Sequence, residues 1–366
     1  MKKIGIITYH FAQNYGSVIQ CYALQEFLKS KGYGVSVINF VSKEQEKNNS
    51  FSSGIKGKIK NIVFYKIRKE RRKKLEAFLN FRKMNLNETK KITTINDFEK
   101  LVKSEKYNVL ISGSDQVFNP NILDYNDAFV IPFKTSSIKV AYAASLGNAK
   151  EKELLTLKSN IEKFQKISLR ESTDKEIFES VIKRKVSIVC DPVFLLSQDD
   201  WIKRINNFES NYVDSENYLL CYFIHKTYIE DAIKIAESIA TQKKLKLKII
   251  NAGYGKYSFR KDVMVGCGPE DFLKLFKNAS YICTDSFHGT SFSIILNKNF
   301  NCIDTSQNTK DTRRKNLLEK FNLINRLCYV EDKNIDTADI NYKKINETIL
   351  KYSNSSKKFL EFDDEN

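Results

Sequence analysis

The sequence predicts an α/β protein in which two successive domains each alternate short strands with helices. Three observations support this prediction. The chain has 366 residues, about twice the ~150 that one domain usually takes. Apolar residues make up 42% of it, which is enough for two hydrophobic cores and excludes a disordered chain. Short apolar runs alternate with stretches of helical period along most of the sequence.

The first forty residues predict a strand, a helix and a second strand. Residues 4–9 are apolar and β-branched, residues 18–28 keep a helical period, and residues 35–40 are apolar again. Parallel pairing with a right-handed crossover is the expected geometry of such a unit. Further strands are predicted at 108–112, 139–146, 167–170 and 187–190.

The same alternation restarts at Tyr218. Strands are predicted at 218–224, 245–250, 281–284 and 301–304, with helices ending at 240 and spanning 269–278 and 289–296. We place the domain boundary in the loop-rich stretch 198–217, which gives an N-terminal domain at 1–205 and a C-terminal domain at 206–366. Two Rossmann-like domains facing a cleft describe a GT-B-like architecture, in which ligands lie outside the carboxyl ends of the strands.

A basic helical insertion is predicted in the first domain, at about 44–106. The chain has a net charge of +17, and more than half of this excess lies in residues 54–83, with twelve Lys and Arg against two Glu. An apolar stripe runs through it at Ile55, Ile59, Ile62, Val63 and Ile67. The pattern fits a helix on anionic lipid, and equally a helix that packs on its own domain with a solvated lysine face.

Several classes of protein are excluded by missing patterns. The sequence has no GxGxxG and no Walker-type motif, which excludes the usual dinucleotide and P-loop sites. Its seven cysteines are at least sixteen positions apart, so we expect reduced thiols in a cytoplasmic protein. With three histidines we expect no metal site. No apolar run approaches the ~18 residues of a spanning helix, which predicts a soluble or peripheral protein.

Polar side chains gather where the predicted strands end. In the first domain they are His10, Asn14 and Tyr15, then Asp115 and Gln116, then Arg170 and Glu171. In the second domain the segment Asp285 to Thr290 joins a strand to an apolar helix. Backbone amides at a helix N-terminus, with His288 beside them, suit a phosphate group. The alternative is a plain N-cap by Asp285 or Ser286, with His288 a bystander.

Six ordered blocks of sequence carry a resemblance to a known family. The chain resembles the polysaccharide pyruvyl transferases through ITYHFAQNYGSVIQCYALQ at 7–25, ISGSDQVFNP at 111–120, YAASLGN at 142–148, SLRE at 168–171, CDPVFLL at 190–196 and TDSFHGTSFSIILNKNF at 284–300. The resemblance implies a GT-B-like enzyme that moves a pyruvyl group from phosphoenolpyruvate onto two hydroxyls of a sugar, forming a cyclic ketal and releasing phosphate.

The resemblance also implies roles for individual residues. The donor-binding Arg and His of the family look like Arg170 and His288. Family members often have an arginine two places before this histidine, where this chain has Ser286. We expect Arg313 or Arg314 to replace the missing cation.

The residue types themselves fit this chemistry. Phosphoenolpyruvate carries a carboxylate and a phosphate, which suit a forked Arg170 and the helix start with Ser286, His288, Gly289 and Thr290. The catalytic candidates are His288 and Asp115 as acid and base, with Arg170. The acceptor-binding candidates are His10, Asn14, Tyr15, Asp115 and Gln116. Two structural alternatives stay open: Asp115 caps the following turn, and Glu171 neutralises Arg170.

The expected partners follow from this interpretation. They are phosphoenolpyruvate, as co-substrate without a further cofactor, and a galactose-like acceptor linked to polyprenyl diphosphate. The basic segment adds an anionic membrane surface, which would make the protein peripheral at the inner membrane face. A GT-B glycosyltransferase using a nucleotide sugar is the first rival. A nucleic-acid-binding protein using residues 54–83 is the second, and we expect no nucleic acid because that segment lacks interleaved stacking aromatics beyond Phe64 and Tyr65.

Overall fold

A computed structural model describes residues 1–42, 45, 62–210, 212, 216–251, 260–306 and 312–362. The chain divides into two compact units. The first unit contains residues 1–57, 82–196 and 351–366, and the second contains residues 58–81 and 197–350. Each unit is built on its own sheet of six strands.

The sheet of the first unit is parallel throughout. Its strands are β1 (Lys3–Ile7), β2 (Gly34–Val37), β3 (Val109–Ser112), β4 (Ile138–Ala144), β5 (Lys166–Leu169) and β6 (Ser187–Ile188). They are ordered β2-β1-β3-β4-β5-β6, so β1 pairs with β2 on one side and with β3 on the other. Such a sheet is covered on both faces, which is why its central strands are continuous apolar runs.

Among the described residues up to 196, the chain forms five named α-helices. They are α1 (Tyr15–Ser30), α2 (Ile62–Asn85), α3 (Ile95–Glu105), α4 (Glu151–Ile161) and α5 (Lys175–Ile182). Short 3-10 turns occupy Asp127–Val130, Ser172–Asp174 and Pro192–Leu195. Helix α1 begins where the Asn14 side chain accepts the Ser17 N–H at 3.4 Å. This cap satisfies an amide that the helix itself leaves open.

The second unit repeats the pattern. Its strands are β7 (Tyr218–Tyr222), β8 (Lys246–Ile250), β9 (Val263–Met264), β10 (Tyr281–Thr284), β11 (Asn299–Asp304) and β12 (Leu327–Tyr329). They form a parallel sheet in the order β12-β11-β10-β7-β8-β9. The helices are α6 (Gln198–Asn207), α7 (Ile229–Gln242), α8 (Pro269–Asn278), α9 (Phe287–Ile295), α10 (Arg313–Lys320) and α11 (Lys343–Phe359).

The core of the second unit is anchored by aromatic side chains. Trp201 of α6 is fully buried and meets the Phe292 ring of α9 edge-on, with 5.0 Å between the ring centroids. Phe272 of α8 meets the same Phe292 ring at 6.1 Å. These contacts join α6, α8 and α9 in one aromatic cluster.

The predicted fold class is confirmed, since each unit is an α/β unit built on a parallel sheet. The division of the chain follows contacts rather than sequence order. The predicted boundary at 205 lies inside α6, and the units divide at Leu196. The end of α11 returns to the first unit, because Ser356 accepts the Cys190 N–H at 2.8 Å and Tyr352 donates to the Val189 carbonyl at 3.1 Å.

Helix α2 carries part of the predicted basic insertion. Its described residues show which unit the helix packs against. The division into units falls within it, and residues up to Phe81 belong to the second unit rather than the first. The buried Lys74 donates to the Asn251 carbonyl at 3.2 Å, and burial lowers the Lys74 pKa to about 8. The basic residues 68, 69, 71–73 and 83 are exposed. The predicted apolar stripe at 55–67 lies outside the residues whose side chains are described.

Two further features concern surfaces. A cavity of about 1260 Å³ in the first unit is lined by residues that precede β1, β3, β4 and β5, at the sheet edge opposite the carboxyl ends. It therefore lies away from the polar clusters of the first unit that the sequence analysis singled out. Among the described helices, none combines the length and apolar character needed to cross a bilayer.

Gly113 directly follows β3 and has a conformation that only glycine adopts easily. Its φ is +117°, and a Cβ there would overlap the Tyr142 carbonyl oxygen. We expect Gly113→Ala to lower the free energy of unfolding by roughly 3–5 kcal/mol, through backbone strain and overpacking together. Gly32 is the matched control, because its φ is +81° but no atom lies within 4 Å of an added Cβ. Gly32→Ala should cost only about 1–2 kcal/mol; equal losses in urea denaturation would contradict the steric argument.

Candidate active site

The carboxyl ends of β1 and β3 form the switch point of the first sheet. The chain leaves β1 toward β2 on one side and later returns to β3 on the other side. Ligands of open α/β sheets bind at such a point, because the loops there diverge and leave a crevice. Asp115 follows β3 at this place and is partly exposed.

Asp115 is held by two hydrogen bonds. The Ser17 hydroxyl donates to its Oδ2 at 2.6 Å, and the Gln116 N–H donates to its Oδ1 at 2.9 Å. Its backbone is left-handed, with φ +73°, which aspartate tolerates better than most residues. The Ser145 N–H also bonds to its carbonyl at 3.0 Å. Asp115 is thus a fixed carboxylate at the switch point, and it also orders the following turn as the structural alternative expects.

The other acceptor-binding candidates differ in exposure. Asn14 is exposed, although its side chain caps α1, and Gln116 is partly exposed with its Oε1 accepting from Asn119 Nδ2 at 2.9 Å. Tyr15 is only 1% exposed, and His10 is fully buried. Burial lowers the His10 pKa. The expected sugar contact therefore lacks support at Tyr15 and His10, because both side chains lie in the interior.

Arg170 is buried between two carboxylates. Its Nε lies 2.6 Å from Glu171 Oε1, and one of its terminal nitrogens lies 2.8 Å from Asp191 Oδ2. Burial alone would lower the Arg170 pKa, but the neighbouring carboxylate charges outweigh it and raise the pKa above its usual value. This geometry favours the structural alternative for Glu171. A donor carboxylate would have to share the guanidinium with both partners.

The switch point of the second sheet lies between β7 and β10. Asp285 directly follows β10 and is fully buried. Its Oδ1 accepts the Ile224 N–H at 2.6 Å, and its Oδ2 accepts the His225 N–H at 2.9 Å. Asp285 therefore ties the loop after β7 to the end of β10 and does not cap α9.

Helix α9 starts beside this tie. Ser286 is its N-cap and accepts the Gly289 N–H at 3.3 Å. Thr290 donates to the Ser286 carbonyl at 3.0 Å. A Cβ on Gly289 would overlap the Thr284 hydroxyl, so glycine lets α9 pack close to β10. His288 lies in the first turn and is partly exposed. The segment thus combines an N-cap with a helix start at which anions bind favourably.

Arg313 and Arg314, which were expected to replace a cation at position 286, differ in their burial. Arg314 is 1% exposed, and its guanidinium lies 2.7 Å from Asp304 Oδ2 while it also donates to the Ile303 carbonyl at 3.1 Å. It is committed to the end of β11, so the expectation is not supported for Arg314. Arg313 is the first residue of α10 and is partly exposed.

The comparison with protein families identifies the family of the chain. The sequence profile described as polysaccharide pyruvyl transferase matches residues 14–307. The chain belongs to this family. The match includes every predicted site residue except His10, Arg313 and Arg314. This chain is therefore an enzyme, a pyruvyl transferase of polysaccharide biosynthesis.

Comparison with solved structures supports the fold alone. The UDP-GlcNAc 2-epimerase from Methanocaldococcus jannaschii aligns with a TM-score of 0.54 at 13% identity, covering 97% of this chain and 93% of that one. An S. aureus MnaA–UDP structure aligns with a TM-score of 0.51 at 14% identity over 98% and 91%. These are enzymes of the GT-B fold. No curated protein matches the sequence.

Two residues of this pyruvyl transferase were missed by sequence reasoning. Asp174 lies just beyond β5, and burial with the nearby Glu171 charge raises its pKa to about 7. His225 follows β7 and contacts Asp285. The signal was their position, since both follow a predicted strand within a few residues.

The cysteines and possible metal ligands were also considered in the sequence analysis. None of the seven cysteines forms a disulfide, and all are buried. Burial raises the pKa of Cys190 to about 11, so this thiol is a poor nucleophile. Within the part of the chain that is described, no group of three His, Cys, Asp or Glu is placed to hold a metal ion.

Arg170 should matter for stability as well as for any ligand. We expect Arg170→Ala to lower the free energy of unfolding by about 3–5 kcal/mol, because two buried carboxylates lose their cation. Arg260 is the matched control, since it also pairs with two carboxylates, Glu237 and Asp262, but its side chain is 35% exposed. Arg260→Ala should cost less than about 1 kcal/mol. Equal losses in the free energy of unfolding, measured by urea denaturation, would contradict the stabilising role of the buried ion pair.

The raised pKa of Asp174 predicts that the stability of the protein depends on pH. The unfolded carboxyl has an ordinary pKa near ~4, whereas the folded one has a pKa of about 7. Between these values the folded state binds more protons, so stability falls as pH rises through this window. Asp174→Asn removes the titration. The variant should gain stability over the wild type from pH 5 to pH 8; a constant difference across these pH values would show that Asp174 is not the titrating group.

Proposed function

We propose that this protein transfers a pyruvyl group from phosphoenolpyruvate to two hydroxyls of one sugar residue, giving a cyclic ketal and inorganic phosphate. The observation that carries the proposal is the family match across residues 14–307, which includes Asp115 after β3 and Asp285 after β10. The acceptor we propose is a galactose-like residue of a capsular or exopolysaccharide repeat unit on polyprenyl diphosphate. The enzyme would then work in the cytoplasm, at the inner face of the membrane.

The reaction needs two additions at C2 of the donor. The first sugar hydroxyl adds to C2 and loses its proton to a base, while C3 gains a proton and becomes a methyl group. The second hydroxyl then takes the place of the phosphate: the C2–O bond breaks, and its electron pair leaves with the phosphate oxygen. That hydroxyl loses its proton, and the phosphate gains one. General acids and bases are therefore needed on both the acceptor and the donor side.

The first unit supplies the residues proposed for the acceptor. Asp115 is a partly exposed carboxylate held in one orientation by Ser17, which suits a base for a sugar hydroxyl. Asn14 and Gln116 are exposed or partly exposed polar side chains that follow β1 and β3. Their amide and carboxyl groups match the donors and acceptors that sugar hydroxyls require.

The second unit supplies the residues proposed for the donor phosphate. The start of α9, with Ser286, Gly289 and Thr290, offers the positive end of a helix dipole. His288 adds an imidazole in the first turn, and Arg313 a cation at the start of α10. Arg170, proposed for the donor carboxylate, belongs to the first unit and is already paired with Glu171 and Asp191.

Donor choice gives a direct test. We expect phosphoenolpyruvate at ~100 times its Kd to stabilise the protein by about 2.7 kcal/mol, raising the Tm. His288→Asn should weaken this shift and lower acceptor-dependent phosphate release by about 10²-fold or more. Thr227→Ala, an exposed loop position, is the control. UDP-GlcNAc is the competing ligand, because the structural neighbours are UDP-GlcNAc epimerases. A shift with UDP-GlcNAc and none with phosphoenolpyruvate would refute the proposal.

A further inference from the structure

An aspartate and a histidine form a pair at the switch point of the second sheet. His225 Nδ1 lies 3.0 Å from Asp285 Oδ2. The two residues are sixty positions apart and follow β7 and β10, which pair directly. The proposed reaction has not used this pair. It lies next to the proposed phosphate position, because Asp285 directly precedes the N-cap Ser286.

The hydrogen bonds of Asp285 indicate which ring nitrogen of His225 carries the hydrogen. Its two oxygens already accept the backbone N–H groups of Ile224 and His225, at 2.6 and 2.9 Å. A carboxylate in this position accepts and does not donate, so Nδ1 of His225 carries the hydrogen. The second nitrogen, Nε2, is then the one that exchanges protons with a ligand.

The ring is also fixed in orientation. It stacks on the Tyr228 ring, with 5.7 Å between centroids and 18° between planes. Tyr228 is held in turn by its hydroxyl, which donates to Asp304 Oδ1 at 3.3 Å. The His225 side chain is 31% exposed, whereas that of Asp285 is fully buried. The pair thus has a buried anion and an imidazole that reaches solvent.

A purely structural role does not require this imidazole. Asp285 joins the two loops through the backbone N–H groups of residues 224 and 225, which any side chain at 225 would leave in place. An asparagine at 225 could also keep a side-chain N–H directed at Asp285. What only the histidine adds is a nitrogen that gains and loses a proton.

We propose that His225 is a catalytic proton donor for the departing phosphate; this rests on the proposed function. The C2–O bond to the phosphate breaks, its electron pair goes to that oxygen, and the oxygen takes the proton from Nε2 of the imidazolium. The phosphate leaves protonated, and the neutral imidazole is protonated again by the proton released from the second sugar hydroxyl. Asp285 stabilises the imidazolium through Nδ1–H and is a positioning residue.

Kinetics of variants at position 225 test the role. We expect His225→Ala and His225→Asn each to lower kcat for acceptor-dependent phosphate release by ~10²–10⁴-fold. The Tm shift with phosphoenolpyruvate should change little. Added imidazole should restore part of the rate in His225→Ala. Thr227→Ala is the matched control in the same loop.

Three results separate the possibilities. A His225→Asn rate near that of the wild type would overturn the proton-donor role and leave the proposed function standing. A low His225→Ala rate that imidazole does not restore would also overturn it, provided the Tm of the variant shows that it is folded. Absence of phosphate release by the wild type would remove the proposed function itself, and this inference with it.

The hydrogen position can be measured without any substrate. Long-range ¹H–¹⁵N spectra of a protein with three histidines should show His225 as the Nδ1–H tautomer when neutral, with assignment by loss of its signals in His225→Asn. Asp285→Asn should alter this tautomer or shift its ¹⁵N signals. A neutral His225 protonated at Nε2 would contradict the geometry on which the proton-donor role depends.

Discussion

Parallel pairing of the strands is the constraint on which the rest of the structure depends. Because all six strands of a unit run the same way, every loop that follows a strand emerges at one edge of the sheet. In both units the central pair, β1–β3 or β7–β10, joins strands whose connections lead to opposite sides. Asp115 and Asp285 are the first carboxylates after β3 and β10. Their positions at the two switch points therefore follow from topology rather than from any local motif.

Each unit also buries an arginine against carboxylates near these strand ends. Arg170 pairs with Glu171 and Asp191, and Arg314 pairs with Asp304. Burying a charge is costly, and the carboxylates offset this cost by pairing and hydrogen bonding. The first cluster has two carboxylates for one guanidinium, so an anionic ligand there would compete with both for Arg170. Asp174, whose pKa is raised to about 7 by burial and the Glu171 charge, adds a further negative charge near this cluster only when it is ionised.

The order of strands and helices could be predicted because each element carries its own period. Packing between elements that are distant in sequence could not be predicted. The return of α11 depends on Ser356 and Tyr352 contacting the chain near Cys190, over 160 residues away. The same limit applies to the site. The sequence indicated Arg170 as a donor-binding cation with Glu171 as its possible partner. It did not indicate Asp191, because that residue lies twenty-one positions further on, beyond a helix and a strand. The partner of Asp285 is sixty positions away, so this residue read locally as a cap.

Ser286 explains why an imidazole matters in the second unit. As the N-cap it accepts the Gly289 N–H, a bond that an arginine at this position could not make. With Arg314 committed to Asp304, the phosphate charge would be met by the start of α9, by Arg313 and by His288. A guanidinium holds its proton at every accessible pH and contributes only charge, whereas an imidazolium contributes charge and can then release the proton. Under the proposed reaction, a position that often carries an arginine in the family is thus a helix cap here, and His225 supplies the proton for the leaving oxygen.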